Sequence, residues 1–265
     1  MVPAMNDAEL LERADLNLIE FNRESARCTT GGLVHEEDGL VFFIPGHRFP
    51  VGGTGVMRSD PGIPAQAVIK RTEAFFRARD QGWTYWIMAH RDADLVAALH
   101  ESGVSAFGDS PGMVIEQRLD VVPLSQGVTI ERVHGEVAAR EFADVNGAAY
   151  ATYGMPSKVA NKQFADHRFF DQPHVAAILA RIGGAPAAAA MVVVSHGVAG
   201  VYWVGTTPEA RGHGLAAACT RAITNIGFDM GADFAALQAS VMGEPIYLRL
   251  GYREITRYPW YVVMP

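Results

Sequence analysis

The chain has 265 residues, 49% hydrophobic and 19% charged, a length and composition typical of a globular protein with two domains of ordinary size. Its 22 Lys and Arg against 29 Asp and Glu give a net charge of −7 without a basic run, which argues against a nucleic-acid partner. No apolar stretch approaches the ~18 residues of a membrane span, and the first residues do not resemble a signal peptide. The two cysteines, Cys28 and Cys219, have no metal or redox spacing. We therefore expect a cytoplasmic protein that does not bind membranes.

Apolar periodicity and turn residues predict the elements of the first half. In order they are a helix capped by Asn6 or Asp7, a hairpin of strands 32–36 and 40–44 about Asp38-Gly39, a loop 45–55, a helix 65–80, a strand 83–89, a short helix 92–101, and strands near Val104 and at 113–117. The Asp-Gly pair between two apolar runs is a strong signal for a hairpin turn.

The second half predicts nearly the same order of elements. They are a strand 128–133, a helix 136–150, a hairpin of strands 174–182 and 185–195, a strand 198–204, a helix from Leu215 to Met230, a strand 232–240, a helix around Tyr247 and a strand around Trp260. The repeated order indicates an internal duplication, with domains over residues 1–120 and 127–265 and a linker near 119–126.

Between the strand 198–204 and the helix that follows lies the segment Arg211-Gly212-His213-Gly214-Leu215-Ala216. The first turn of a helix has unpaired N–H donors and a positive dipole end, and glycine lets a ligand approach the backbone closely. This arrangement favours a phosphate ligand. A dinucleotide loop is the alternative, but no following strand ends in an acidic residue that could bind a ribose.

The segment fits the pattern Arg/Gln-x-x-Gly-x-Gly/Ala, and residues 247–252 fit Tyr-x-x-x-Gly-Phe/Tyr. Together they resemble the GCN5-related N-acetyltransferases, the GNAT superfamily, which use acetyl-coenzyme A. The resemblance implies an α/β fold of two tandem GNAT-like domains. Each is a mostly antiparallel mixed sheet flanked by helices, and the C-terminal one has a splayed central strand pair. The activity that it implies is transfer of an acetyl group from acetyl-CoA to a primary amine.

The resemblance also assigns roles to residues of the second half. The diphosphate is expected at Arg211, Gly212, His213, Gly214, Leu215 and Ala216, and the pantetheine arm along the backbone of Val204, Gly205 and Thr206. Tyr247 matches the general acid that protonates the departing thiolate, although an ordinary core tyrosine is the alternative. Ser240 stands where many relatives carry Asn, and its hydroxyl is expected to contact a pantetheine amide.

The first half lacks these features. Residues 58–64 contain no such motif, place Asp60 where a diphosphate needs positive potential, and include two prolines that remove N–H donors. Leu99 stands four residues before Gly103, where the second half has Tyr247 four before Gly251. We therefore expect a degenerate first copy and one coenzyme A site per chain.

Several questions stay open at this level. His196 and Glu209 are more simply surface residues than a general base, and the aromatic residues of 150–156 either line the acceptor site or pack against the other domain. No histidine spacing predicts a metal. The resemblance implies a small-molecule or peptide amine as acceptor; a small polyamine, an amino acid, an antibiotic and a peptide N-terminus all stay open, and so does a homodimer. The alternative function is a regulator or scaffold that binds coenzyme A without transferase activity.

Overall fold

An eleven-stranded sheet is the framework of the protein in this computed structural model, which describes residues 5–164 and 166–265. In chain order the strands are β1 (Leu33–Glu37), β2 (Leu40–Ile44), β3 (Gly55–Arg58), β4 (Trp83–Trp86), β5 (Gly108–Ile115), β6 (Val128–Arg132), β7 (Val175–Ile182), β8 (Ala185–Ser195), β9 (Val198–Thr206), β10 (Phe234–Gln238) and β11 (Arg253–Val263). Helices cover both faces of the sheet, so the expected α/β class with a mixed sheet is confirmed.

The helices pack on the two faces of the sheet, against apolar side chains that alternate along the strands. They are α1 (Asp7–Cys28), α2 (Ala65–Arg77), α3 (Ala93–Glu101), α4 (Gly135–Tyr150), α5 (Ser157–Phe164), α6 (Leu215–Asp229) and α7 (Glu244–Leu250). On β2, Val41 and Phe43 pack with α1, α4 and α5, whereas the alternate residues Leu40 and Phe42 pack with α2 and α3. The helices α6 and α7 lie on the same face as α2 and α3, over β7 to β10.

The two halves exchange their last strands. The sheet order is β1-β2-β3-β4-β11-β5-β10-β9-β8-β7-β6, so β11 of the second half lies between β4 and β5 of the first. In turn, β5 pairs with β10 of the second half through the register Gln238↔Gly112 to Ala235↔Ile115. Each half therefore needs a strand of the other to complete its sheet. The exact domain boundary stays a prediction.

Most predicted elements are present with ends shifted by a few residues. Asn6 caps α1 by accepting a hydrogen bond from the Glu9 N–H at 2.9 Å, and Asp38 and Gly39 turn the first hairpin with φ of 38° and 75°. The strand predicted near Val104 is wrong, because that residue lies in an irregular connection from α3 to β5. The strand β3 and the helix α5 were not predicted. Among the described residues, no helix is both long and apolar enough to cross a membrane.

Candidate functional site

The strands β9 and β10 diverge, and the site lies where they part. They pair in parallel only at their first residues, from Phe234↔Val198 to Ala236↔Gly200. Beyond Gly200, β9 continues to Thr206 along β8, while β10 stays paired with β5. The edge of β9 over residues 201–206 is thus turned toward a gap in the sheet, where its backbone groups can bond to a ligand.

A β-bulge reorients the end of β9 at this gap. The register with β8 shifts between Ala189 and Met191, and Trp203 there has a φ of +50°. A positive φ is unfavourable for a bulky side chain, and surrounding packing has to hold it. The indole packs against Tyr150 at a ring-centroid distance of 4.9 Å and against Phe164 at 4.7 Å. The bulge turns residues 204–206 toward the gap.

The glycine-containing loop leads from β9 to the start of α6. Gly212 and Gly214 have φ of +83° and +74°, and a Cβ atom added at either would meet no heavy atom within 4 Å. The first hydrogen bond of α6 runs from the Ala218 N–H to the Gly214 carbonyl at 3.1 Å, so the N–H groups of residues 215–217 point out of the helix end. This open concave backbone is suited to an anion such as a diphosphate.

Two side chains of the loop form hydrogen bonds within the protein. The Arg211 guanidinium donates to Thr152 Oγ1 at 2.7 Å and to the Ala149 carbonyl at 3.4 Å, which ties the loop to the end of α4. His213 Nδ1 donates to the Arg211 carbonyl at 3.1 Å. The His213 ring lines a neighbouring groove between α6 and residues 120–125. Any contribution of His213 to anion binding therefore comes from its backbone.

A cavity of about 590 Å³ joins the gap between β9 and β10 to this loop. All predicted site residues except His213 line it, and so do residues on α4, α6 and α7 that were not predicted. The predicted ones are Val204, Gly205, Thr206, Arg211, Gly212, Gly214, Leu215, Ala216, Ser240 and Tyr247. Those not predicted include Ala149, Arg221, Met242, Ile246 and Arg249. The size is that of a site for a cofactor-sized ligand.

Of the unpredicted residues, Arg221 could have been found from helical periodicity. It follows Gly214 by seven residues and Ala217 by four, so these positions share one face of α6. Met242 and Arg249 give no comparable signal. Their placement depends on how the turn after β10 and the helix α7 pack against α6, which local sequence does not specify.

Thr206 and Gly205 show how closely the end of β9 is packed. The Thr206 hydroxyl is buried and has no hydrogen-bond partner within the described part of the chain. A buried polar group without a partner is costly, and an amide-bearing ligand in the cavity would relieve that cost. A Cβ atom on Gly205 would lie 2.5 Å from Asn146 Oδ1 and 3.0 Å from the Ala149 Cβ. Gly205 is thus required for α4 to approach the strand.

Tyr247 lies on α7 with its side chain buried against the cavity. Only 8% of it is exposed, and burial raises the pKa of its phenol, so the hydroxyl remains protonated at neutral pH. A Cβ atom at Gly243 would lie 2.7 Å from the Tyr247 ring, so this glycine lets the ring lie against the start of the helix. Tyr247 is therefore a buried, protonated phenol in the wall of the cavity.

Ser240 connects the two sides of the cavity. Its hydroxyl accepts a hydrogen bond from Tyr153 at 3.1 Å and another from the Gly243 N–H at 3.2 Å. Tyr153 belongs to the 3-10 turn Ala151–Tyr153 that follows α4, and Ser240 follows β10. The contact therefore joins the turn after α4 to the residues after β10 across the cavity.

The equivalent junction of the first half is closed. There β3 and β4 stay paired from Gly55↔Thr84 to Met57↔Trp86, at the end of β3. The Arg58 guanidinium, buried with 1% of its side chain exposed, donates to Asp92 Oδ1 at 2.8 Å and to Asp94 Oδ2 at 2.9 Å. This bonding lowers the pKa of the Asp94 carboxyl. An ion cluster thus occupies the strand ends where the second half has a gap.

Comparison with known proteins identifies the fold. No protein-family model matches the chain, and no curated protein matches it. Among solved structures, the chain is similar to a GCN5-related N-acetyltransferase from Kribbella flavida, with 22% identity, a TM-score of 0.71 and 94% of each chain covered.

Two further structures extend this likeness. A GCN5-related N-acetyltransferase from Sphaerobacter thermophilus is 15% identical, with a TM-score of 0.62 over 85% of this chain and 80% of that one. A tandem GNAT protein from the clavulanic acid biosynthesis pathway is 12% identical, with a TM-score of 0.62 over 97% and 95%. The chain therefore has the GNAT fold in its tandem arrangement, as the sequence predicted.

Proposed function

We propose that the protein is an N-acetyltransferase that moves an acetyl group from acetyl-CoA to a primary amine. The observation that carries the proposal is the continuous cavity, which runs from the open glycine loop to the parted strands and Tyr247. Acetyl-CoA would supply an activated thioester. The diphosphate would be held by N–H groups at the start of α6, and the pantetheine arm by backbone groups of residues 204–206.

The reaction needs three contributions from the chain. Backbone N–H groups on the free edge of β9 stabilise negative charge on the acyl oxygen as the amine attacks. Tyr247 donates its phenolic proton to the departing thiolate and recovers a proton, through solvent, from the attacking nitrogen. Burial raises the basicity of a thiolate as well as that of a phenolate, so the two groups remain matched in the same apolar surroundings.

The test is release of free coenzyme A thiol by purified protein with acetyl-CoA and a panel of primary amines. The proposal predicts amine-dependent turnover that the Tyr247→Phe variant largely loses. Binding of coenzyme A without turnover on any amine would instead support the regulator or scaffold. Absence of binding would contradict both functions.

A further inference from the structure

The acyl end of the cavity opens at an apolar rim, formed by Tyr153, Val241 and Met242. All three side chains are exposed, to 46%, 81% and 47%, although each is largely apolar. Tyr153 and Met242 line the cavity. In the sequence, Val241 lies between Met242 and Ser240, and the Ser240 hydroxyl accepts a hydrogen bond from Tyr153. A set of exposed apolar side chains at the mouth of a cavity is typical of a ligand contact.

Inside this rim the wall is aromatic and poorly solvated. Tyr150 lies with its ring 6.0 Å from that of Tyr153 and 4.9 Å from the Trp203 indole. Burial raises the pKa of Tyr150 and of Tyr247, which both line the cavity. A charged group that enters this region loses hydration without gaining an ionic partner.

The charged side chains that line the cavity, among the described residues, all carry positive charge. The charged side chains that line it are Arg211, Arg221 and Arg249, among the residues that the structure describes. Glu209 and Glu244 are close in sequence to lining residues, but neither belongs to the lining. The field of the site therefore favours an anionic ligand such as the diphosphate, and no carboxylate among the described lining residues is available to pair with a second ammonium on the acceptor.

From the apolar rim, the aromatic wall and this charge distribution, we infer that the acceptor is a monoamine with an apolar body, and that diamines and polyamines are discriminated against. The inference rests on the proposed acetyl transfer. The apolar body lies on the rim and the amine points inward between Tyr150 and Tyr247. A second ammonium on the same ligand would lie against the partly exposed apolar side chains of the rim, where it loses part of its hydration and meets no lining carboxylate.

The same surroundings provide the neutral amine that the reaction needs. Desolvation disfavours the charged form of an amine and lowers its pKa. An alkylammonium drawn into the aromatic wall therefore loses its proton to water more readily than in bulk solvent. This explains how the amine can be activated although His196 and Glu209, the two candidate bases weighed from the sequence, do not line the cavity.

The test compares n-hexylamine with 1,6-diaminohexane, which share a six-carbon chain and differ by one terminal ammonium. With the intact protein at saturating acetyl-CoA, kcat/KM for hexylamine should exceed that for the diamine, counted per amine, by at least about tenfold, the ratio that ~1.4 kcal/mol produces. Equal values or a preference for the diamine would overturn the inference and leave acetyl transfer intact. Failure with hexylamine, the diamine and 2-phenylethylamine while another amine of the panel is acetylated would overturn the inference alone, and failure with the whole panel would overturn both.

A charge placed on the rim sharpens the test. Met242→Glu puts a carboxylate where the second ammonium of the diamine would lie, so the preference for hexylamine should fall several-fold, as expected for a partly exposed ion pair. Leu248→Glu is the matched control, because Leu248 is equally exposed on α7 but does not line the cavity. Calorimetry measures coenzyme A affinity for both variants, so that a change in cofactor binding is distinguished from a change in amine preference. An unchanged preference in Met242→Glu, or an equal change in Leu248→Glu, would contradict the placement of the acceptor.

Discussion

Each half of this tandem protein has a strand, loop, helix and strand in the same order, β9 to β10 in the second half and β3 to β4 in the first. The junction between the two strands is open in the second half and closed in the first. In the second half, β9 and β10 part after three residue pairs, and an open loop with two positive-φ glycines leads into α6. In the first half, β3 and β4 also pair over three residues, but both strands end there, and Arg58 binds Asp92 and Asp94 at those ends. The loop that follows β3 enters α2 at Pro64, which has no N–H to donate. The cavity thus lies at the junction whose strand ends are left unfilled.

The largest effect on turnover should come from changing Tyr247, a residue for which the first half has Leu99. Tyr247→Phe removes one hydroxyl and keeps the ring, and loss of a general acid typically lowers kcat by about 10²–10⁴-fold. Coenzyme A affinity should barely change, because the phenol acts on the leaving group. Steady-state turnover and calorimetry on the same preparation measure both quantities.

Tyr252→Phe is the control for this change. Tyr252 is also buried, and its hydroxyl lies 2.6 Å from Thr224 Oγ1, but it does not line the cavity. Its variant should keep normal turnover and lose roughly 1 kcal/mol of stability with the hydrogen bond. If the two variants lose turnover equally, or if Tyr247→Phe keeps it when chemistry limits the rate, Tyr247 is not the acid.

The closed junction is tested through stability. Arg58→Met leaves Asp92 buried without its partner, and breaking a buried ion pair in this way typically costs about 3–5 kcal/mol. The exposed Arg257, paired with Asp109 and Glu254, is the control, and Arg257→Met should cost at most about 1 kcal/mol. Urea unfolding compares the two. Similar costs for both variants would mean that the Arg58 cluster does not hold the junction closed.

The open loop is tested by filling it. A valine side chain at Gly214 would project into the space expected for the diphosphate, so coenzyme A should bind at least about tenfold more weakly, a loss of ~1.4 kcal/mol. Gly231→Val is the matched control, because Gly231 follows the other end of α6 with a φ of +95° and equally open surroundings. Both variants carry the same backbone strain. Only Gly214→Val should weaken binding in calorimetry, and equal affinities would remove the loop from the site.

The smallest effect is expected at Ser240. Ser240→Ala removes the acceptor of the Tyr153 hydroxyl and leaves the strand ends as they are. A neutral hydrogen bond is worth about 1 kcal/mol, so coenzyme A affinity should fall by no more than about fivefold. Ser102→Ala is the control, because it loses a hydrogen bond to the Ala98 carbonyl at the end of α3 and does not line the cavity. Its coenzyme A affinity should be that of the unchanged protein. A loss of affinity above tenfold would make Ser240 a principal contact.

Much of this comparison could be anticipated from the sequence, and the missing part has physical causes. The loop 211–216, the position of Tyr247 and the hairpin at Asp38-Gly39 are local patterns, so single segments reveal them. The exchange of β5 and β11 depends on pairing between segments more than a hundred residues apart, and each strand would look the same with other partners. The bulge at Trp203 also escapes prediction, since packing against Tyr150 and Phe164 overrides the normal preference for negative φ.

The closure of the first junction was anticipated only in part. Residues 58–64 indicated a loop unable to bind a diphosphate, because of Asp60 and two prolines. The role of Arg58 was not visible, because Asp92 and Asp94 lie more than thirty residues away in sequence and only the fold brings them together. Buried ion pairs of this kind arise from tertiary packing and leave no periodic signal.

The most direct test is a crystal structure of the whole chain grown with coenzyme A. The account predicts one molecule per chain, with its diphosphate on the backbone of residues 212–216 and its thiol between β9 and Tyr247. The first-half junction should remain closed by Arg58 and Asp92. A coenzyme bound between β3 and β4, a second molecule in each chain, or a thiol remote from Tyr247 would contradict it.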